Sequence, residues 1–122
     1  MMEGFLKFIC GDTKTAHNLR KNIIFKIVPM INPDGVVLGN YRTGLSGRDF
    51  NREYRSPDKD IFPEVYAFKK LVTETKLVFK NNLMMFLDFH GHSTKKNVFA
   101  YGPEFPIMDK FYYESRIFAK LL

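Results

Sequence analysis

The chain has 122 residues, 45% hydrophobic and 26% charged, a composition that excludes a disordered tail and suits one globular domain. Its 19 Lys and Arg against 13 Asp and Glu leave a net charge of +6, which favours an anionic partner without choosing among nucleic acid, phosphate, acidic peptide and acidic membrane. No apolar run approaches a membrane span, nothing at the start reads as a signal peptide, and the single Cys10 leaves no internal disulfide, so a soluble cytoplasmic protein is expected.

Residues Met2 to Ile9 and Thr13 to Arg20 read as helix, interrupted at Gly11-Asp12. Ile23 to Ile31 is a nearly continuous apolar run broken only by Lys26, the pattern of a strand buried in a parallel sheet covered on both faces. Asn32-Pro33-Asp34-Gly35 is expected to stop it as a turn. Val36 to Asp60, punctuated by Gly39, Gly44, Gly47 and Pro57, reads as a long loop kept in order by Tyr41, Leu45, Phe50 and Tyr54. Pro63 opens a helix to about Lys76, with Val65, Phe68, Leu71 and Val72 as its apolar stripe. Leu83 to Phe89 is expected to be a second buried strand and Asn97 to Tyr101 a short third. Pro106 starts a last helix with Ile107, Phe111, Ile117, Phe118 and Leu121 available for burial.

That order predicts an α/β fold. Parallel strands at Ile23 and Leu83 would bring the Arg-rich loop and the His turn to one sheet edge, where ligands bind in open α/β sheets. Two or three strands with large apolar faces want more neighbours than 122 residues supply, so the fold is expected to be a fragment truncated at both ends.

Asp88-Phe89-His90-Gly91-His92-Ser93 is the first chemical motif. A His there can bind a metal through one ring nitrogen while a carbonyl or carboxylate holds the other. Both His90 and His92 could ligate one ion, one could support the other, or both could satisfy backbone groups in a turn. His17, with no suitable carboxylate on its helix, is expected at the surface, and Cys10 as a small buried hydrophobe. Arg42, Arg48, Arg52 and Arg55 crowd the Gly-rich stretch. Asn51 beside Arg52 offers several donors to one carboxylate, and Arg42 could add a second fork; structural ion pairs with Asp49, Glu53 and Asp58 are the competing reading.

Taken together, Phe25 to Val36, Gly39-Asn40-Tyr41-Arg42, Asn51-Arg52, Asp88 to Ser93 and Asn97 to Gly102 closely resemble the cytosolic carboxypeptidases, in the family's order and spacing over nearly the whole chain. These are zinc metallocarboxypeptidases, whose known members remove glutamates from tubulin and other acidic protein tails. The resemblance implies a carboxypeptidase-type mixed sheet flanked by helices, with residues 1–122 as the central, incomplete part of a catalytic domain. It also implies a Zn2+ cofactor with His90 as the third zinc ligand, and acidic protein tails, not nucleic acid or membrane, as partners. Arg42 would polarise the scissile carbonyl and stabilise the oxyanion, while Asn51 and Arg52 would hold the substrate's terminal carboxylate. In the family mechanism zinc lowers the pKa of its water and a Glu takes the proton as that water attacks.

The family's first two zinc ligands come from an H-P-G-E-T element, and no such element stands in this sequence. Its catalytic Glu belongs to a motif that neither Glu104 nor Glu114 matches. The expectation is therefore a carboxypeptidase segment carrying the substrate-clamp half of a site, inactive in isolation. One alternative is a non-catalytic remnant that binds acidic peptides through Arg42, Asn51 and Arg52. Another takes His90 and His92 as the HxH pair of an amidohydrolase-type site, which would leave the Asn-Pro-Asp-Gly and Asn-Arg elements without a role.

Overall fold

The computed structural model describes residues 1–121. They form two compact units, Met1–Phe89 and His90–Leu122. The first carries α1 (Met2–Ile9), α2 (Lys14–Asn22), α3 (Pro33–Leu38), a 3-10 turn at Phe50–Arg52, α4 (Pro63–Phe79) and a second 3-10 turn at Lys80–Asn82. The second carries α5 (Phe111–Leu121).

The expected α/β fold with a mixed sheet is overturned. Among the described residues there is no named strand, and the one β-bridge, antiparallel between Thr43 and Asp49, lies inside the Gly-rich loop. Ile23 to Ile31 and Leu83 to Phe89 are neither helix nor strand. Both runs lean on helices instead. Ile31 packs on the core beside α4, Lys26 Nζ stands 5.8 Å from the Phe79 ring, Phe86 meets Phe68 at 5.9 Å and Phe89 meets Phe5 at 5.9 Å. Elsewhere the runs stay exposed, with Ile24 at 72% and Met84 at 69%. An apolar run becomes a sheet strand only when other strands complete its ladder, and periodicity does not supply them. The expected strand at Asn97 to Tyr101 is also absent; Asn97 has φ 64°, a left-handed geometry that Asn tolerates and that no strand contains.

The helices have local causes. Glu3 and Lys7, one turn apart on α1, pair at 2.7 Å, the acid near the N-terminal end and the base near the C-terminal end of the helix dipole. Thr13 Oγ1 accepts the Ala16 N–H at 3.2 Å and starts α2. The helices pack through buried Ile9 and Ala16, and Arg20 reaches back to donate to the carbonyls of Ile9 and Gly11, which end α1. Cys10, expected to be buried, is exposed: it caps α1 one residue past Ile9, which takes the interior position.

Asn32-Pro33-Asp34-Gly35 is not a free-standing turn but the start of α3, with Pro33 in its first turn and Asn32 Oδ1 accepting the Gly35 N–H at 3.0 Å. A Cβ on Gly35 would come within 2.5 Å of the Thr43 carbonyl oxygen, so the close approach of α3 to the following loop needs glycine here. Gly39, at φ 74°, ends α3 in the left-handed geometry common at helix C-termini.

The core of the first unit is Phe50, Phe62 and Val65, with Ile31 and Tyr54 packed against it. Val65 is the first residue of the expected α4 stripe; Phe68, Leu71 and Val72 follow it half-buried. Of the aromatic and apolar residues expected to order the loop, Phe50 is buried and Tyr54 half-buried, while Tyr41 and Leu45 are exposed at 85% and 71%. In the second unit the last helix begins at Phe111 rather than Pro106, where Asp109 Oδ1 accepts the Phe111 N–H at 2.8 Å. Its Ile117 and Leu121, available for burial, are exposed at 54% and 80%. No helix among the described residues is long and apolar enough to cross a membrane.

Candidate functional site

The Gly-rich loop is built around two backbone anchors. The Thr43 carbonyl accepts from the side-chain amides of Asn32 at 3.1 Å and Asn40 at 3.2 Å, which ties the loop to α3. Gly44 N–H donates to the Arg48 carbonyl at 3.2 Å, and Gly47, at φ 72°, turns the chain between them. The Phe50 ring fills the space where a Gly44 side chain would stand. This aromatic plug seats the 3-10 turn that carries Asn51 and Arg52.

Arg42, Asn51 and Arg52 come together in the first unit, and the link between them is Asp49. Arg42 Nε lies 3.2 Å from Asp49 Oδ2, while Asp49 Oδ1 accepts the Asn51 backbone N–H at 2.9 Å. Arg48 Nη2 stands 2.8 Å from Glu53 Oε1, with its guanidinium 5.5 Å from the Phe62 ring centre. Two of the loop's arginines are thus in the ion pairs of the competing structural reading. Arg52 is exposed as they are but, like that of Arg55, its side chain forms no ion pair among the described residues. Its backbone N–H donates to the Asp49 carbonyl at 3.0 Å, so an anchored turn presents an exposed planar fork.

Tyr54 follows on the same turn, its ring 5.9 Å from Phe68 in edge-on contact. Burial pushes its phenol above the ordinary 10.0, and the charges of Asp88 and Asp49 push the same way. The folded chain therefore keeps this proton longer than the unfolded chain does. Stability from this group is complete below pH 10.0 and falls as pH rises through the higher folded value. Urea midpoints measured across that range should decline more steeply for the wild type than for Tyr54→Phe, which keeps the ring; parallel declines would remove Tyr54 as the source.

His90 opens the second unit. Its Nδ1 meets the Gly91 carbonyl at 2.6 Å, and because a carbonyl only accepts, Nδ1 is the donor of that bond. The two imidazoles of the motif are not equivalent. His92 Nδ1 accepts the Thr94 and Lys95 N–H groups at 3.2 and 3.0 Å, closing a turn, and its ring stands edge-on to Phe99 at 5.5 Å. The HxH reading needs a lone pair from each ring, and His92 has given its own to the backbone. His17 is at the surface as expected, its side chain 61% exposed.

One imidazole does not make a zinc site. Among the described residues no group of three or more His, Cys, Asp and Glu could hold a metal ion, so these residues alone do not assemble a zinc site. Sequence reasoning missed Asp49 as the organiser of the loop, treating it only as an ion-pair partner. Its signal was an Asp two residues before Asn51, the spacing of a side chain that accepts its neighbour's N–H.

The sequence profile of the family described as zinc carboxypeptidase matches residues 1–109, and the chain belongs to that family of peptide hydrolases. It is 51% identical over 102 residues to cytosolic carboxypeptidase 2 of Danio rerio, an alignment covering 84% of this chain and 14% of that protein. With cytosolic carboxypeptidase 3 of Mus musculus the identity is 44% over 125 residues, covering 100% of this chain and 12% of the relative. With cytosolic carboxypeptidase 1 of Homo sapiens it is 48% over 102 residues, covering 84% and 8%. The chain thus spans between 8% and 14% of the length of these relatives.

Proposed function

We propose that residues 1–122 are the central, incomplete part of a zinc carboxypeptidase catalytic domain and supply its substrate clamp, with acidic protein tails such as that of tubulin as the substrate and terminal or side-chain-linked glutamate as the residue released. The observation that carries the reading is the contrast among the loop arginines: Arg42 and Arg48 are held in ion pairs within the loop, while Arg52, in no ion pair among the described residues, stands exposed beside Asn51 on a turn anchored by Asp49. A guanidinium fork next to an amide recognises a carboxylate in two-point fashion. In this reading Arg42 faces the scissile carbonyl and His90 is the one zinc ligand the segment contributes.

Three further observations support it. The relatives are named cytosolic carboxypeptidases, in keeping with a cytoplasmic place of action. The net charge of +6 suits an acidic tail. The apolar runs at Ile23–Ile31 and Leu83–Phe89 leave Ile24 and Met84 exposed at 72% and 69%, apolar surface of the kind that the remainder of a longer relative would cover.

Without a complete metal site the 122-residue chain binds such a tail but does not shorten it. Titrated with a peptide ending in two glutamates, it should bind the free acid at least about tenfold more tightly than the C-terminal amide, because the amide removes the charge that the fork pairs. Mass spectrometry of the same mixture should show the peptide intact. Equal affinity for the two peptides would sink the clamp, and turnover abolished by a chelator and by His90→Ala would overturn the inactivity.

A further inference from the structure

We propose that Asp49 is the positioning residue of this site, a single carboxylate that sets Arg42 in register with the Asn51-Arg52 turn; the inference rests on the clamp reading and adds a residue to it. The geometry is two-sided. One oxygen takes Arg42 Nε at 3.2 Å and the other takes the Asn51 N–H at 2.9 Å, so neither group can shift without moving the carboxylate the other depends on. Asp49 is itself held at the backbone. It bridges Thr43 in antiparallel fashion, its carbonyl accepts the Arg52 N–H at 3.0 Å, and Thr43 is fixed by two side-chain amides.

The pairing also leaves Arg42 usable. Asp49 engages Nε alone, so the two terminal nitrogens keep donors for a further acceptor, in a plane set by the ion pair. The Asp49 side chain is 23% exposed and that of Arg42 47%. A pair so accessible to water adds little stability. Its consequence is direction: it aims one fork and, through Asn51, fixes the turn that carries the other.

Two substitutions separate these tasks. Asp49→Asn keeps an oxygen for the Asn51 N–H and removes the charge that holds Arg42, whereas Asp49→Ala removes both. In the 15N-labelled 122-residue chain, the Arg42 Nε–H resonance should move in Asp49→Asn and exchange with solvent about tenfold faster, while the Asn51 amide stays protected. In Asp49→Ala both should exchange faster, and affinity for the peptide ending in two glutamates should fall about tenfold, as in Arg52→Ala. A merely stabilising role would lower the thermal midpoint of both variants without separating the two exchange rates.

Unchanged Arg42 Nε–H shift and exchange in Asp49→Asn would overturn the inference. So would wild-type peptide affinity in Asp49→Ala when Arg52→Ala has lost it. Wild-type affinity in Arg52→Ala itself would remove the clamp, and this inference with it. Should Asp49→Ala fail to fold, Asp49→Asn decides, because it keeps the bond to Asn51.

Discussion

Phe62→Ala is expected to abolish cooperative unfolding of residues 1–89. Phe62 is 2% exposed, meets Phe50 edge-on at 6.2 Å and lies under the Arg48 guanidinium at 5.5 Å. Truncating a buried Phe costs about 3–5 kcal/mol, through lost transfer energy and through the cavity left behind. A small domain holds only about 5–15 kcal/mol in total, and this one draws on a core of Phe50, Phe62 and Val65 with two half-buried neighbours. The loss reaches the site directly. Phe50 is both a partner of Phe62 and the first residue of the turn bearing Asn51 and Arg52, so that turn should lose its seat. Leu77→Ala, on the helix that Phe62 immediately precedes and at 69% exposure, is the control and should change stability by about 0.5 kcal/mol or less. Urea denaturation followed by circular dichroism reads both. A Phe62→Ala midpoint close to that of Leu77→Ala would show that the core of Phe50, Phe62 and Val65 does not hold the unit together.

The contrast between what was legible in the sequence and what was not follows the range of the forces involved. The helices α1, α2 and α4 are written in short-range chemistry: the Glu3–Lys7 pair one turn apart, the Thr13 cap, and Pro63 in the first turn ahead of the stripe from Val65. Each signal spans a few residues and needs no partner elsewhere in the chain. The start of α3 was present in the same form, since Asn32 before Pro33 is as good a helix cap as it is a turn. The cap prevails because Asn32 Oδ1 accepts the Gly35 N–H while Pro33 sits in the first turn, where its missing N–H costs nothing.

The strands failed for the opposite reason. Ile23–Ile31 and Leu83–Phe89 carry the apolar content of buried strands, but a sheet is a relation between segments, and hydrophobicity alone cannot say whether the ladder will be completed. Among the described residues no sheet edge exists to bring the Arg loop and the His turn together. What survives is narrower and better founded: Arg42, Asn51 and Arg52 are gathered by Asp49 within one loop, a conclusion that needs hydrogen-bond geometry. Residue types identified the candidates. The competing reading of structural ion pairs proved right for Arg48 with Glu53, and right for Arg42 in a form that is itself part of the arrangement.

In an enzyme completed around these residues, Arg42→Ala and Arg52→Ala are expected to separate cleanly in steady-state kinetics on acidic tails. In the proposed reading, Arg52 meets a carboxylate that is charged in the free substrate and equally charged as the bond breaks. Its contribution is the same in the ground and transition states, so its loss should raise KM, by about ten- to a hundredfold for a charge-assisted pair, with kcat little changed. In the proposed reading, Arg42 meets an oxygen that gains charge only as the carbonyl is attacked. Its loss should lower kcat by about a hundred- to a thousandfold, as removal of an oxyanion donor does elsewhere, with a smaller effect on KM. The Arg42–Asp49 pair sharpens the expectation, because Arg42→Lys keeps the charge yet cannot offer Nε to Asp49 while presenting terminal nitrogens to the substrate. Arg42→Lys should therefore recover only a small part of the lost kcat. Equal effects of the Arg42 and Arg52 substitutions on KM alone would mean that both forks bind the terminal carboxylate, and the division of labour between them would have to be abandoned.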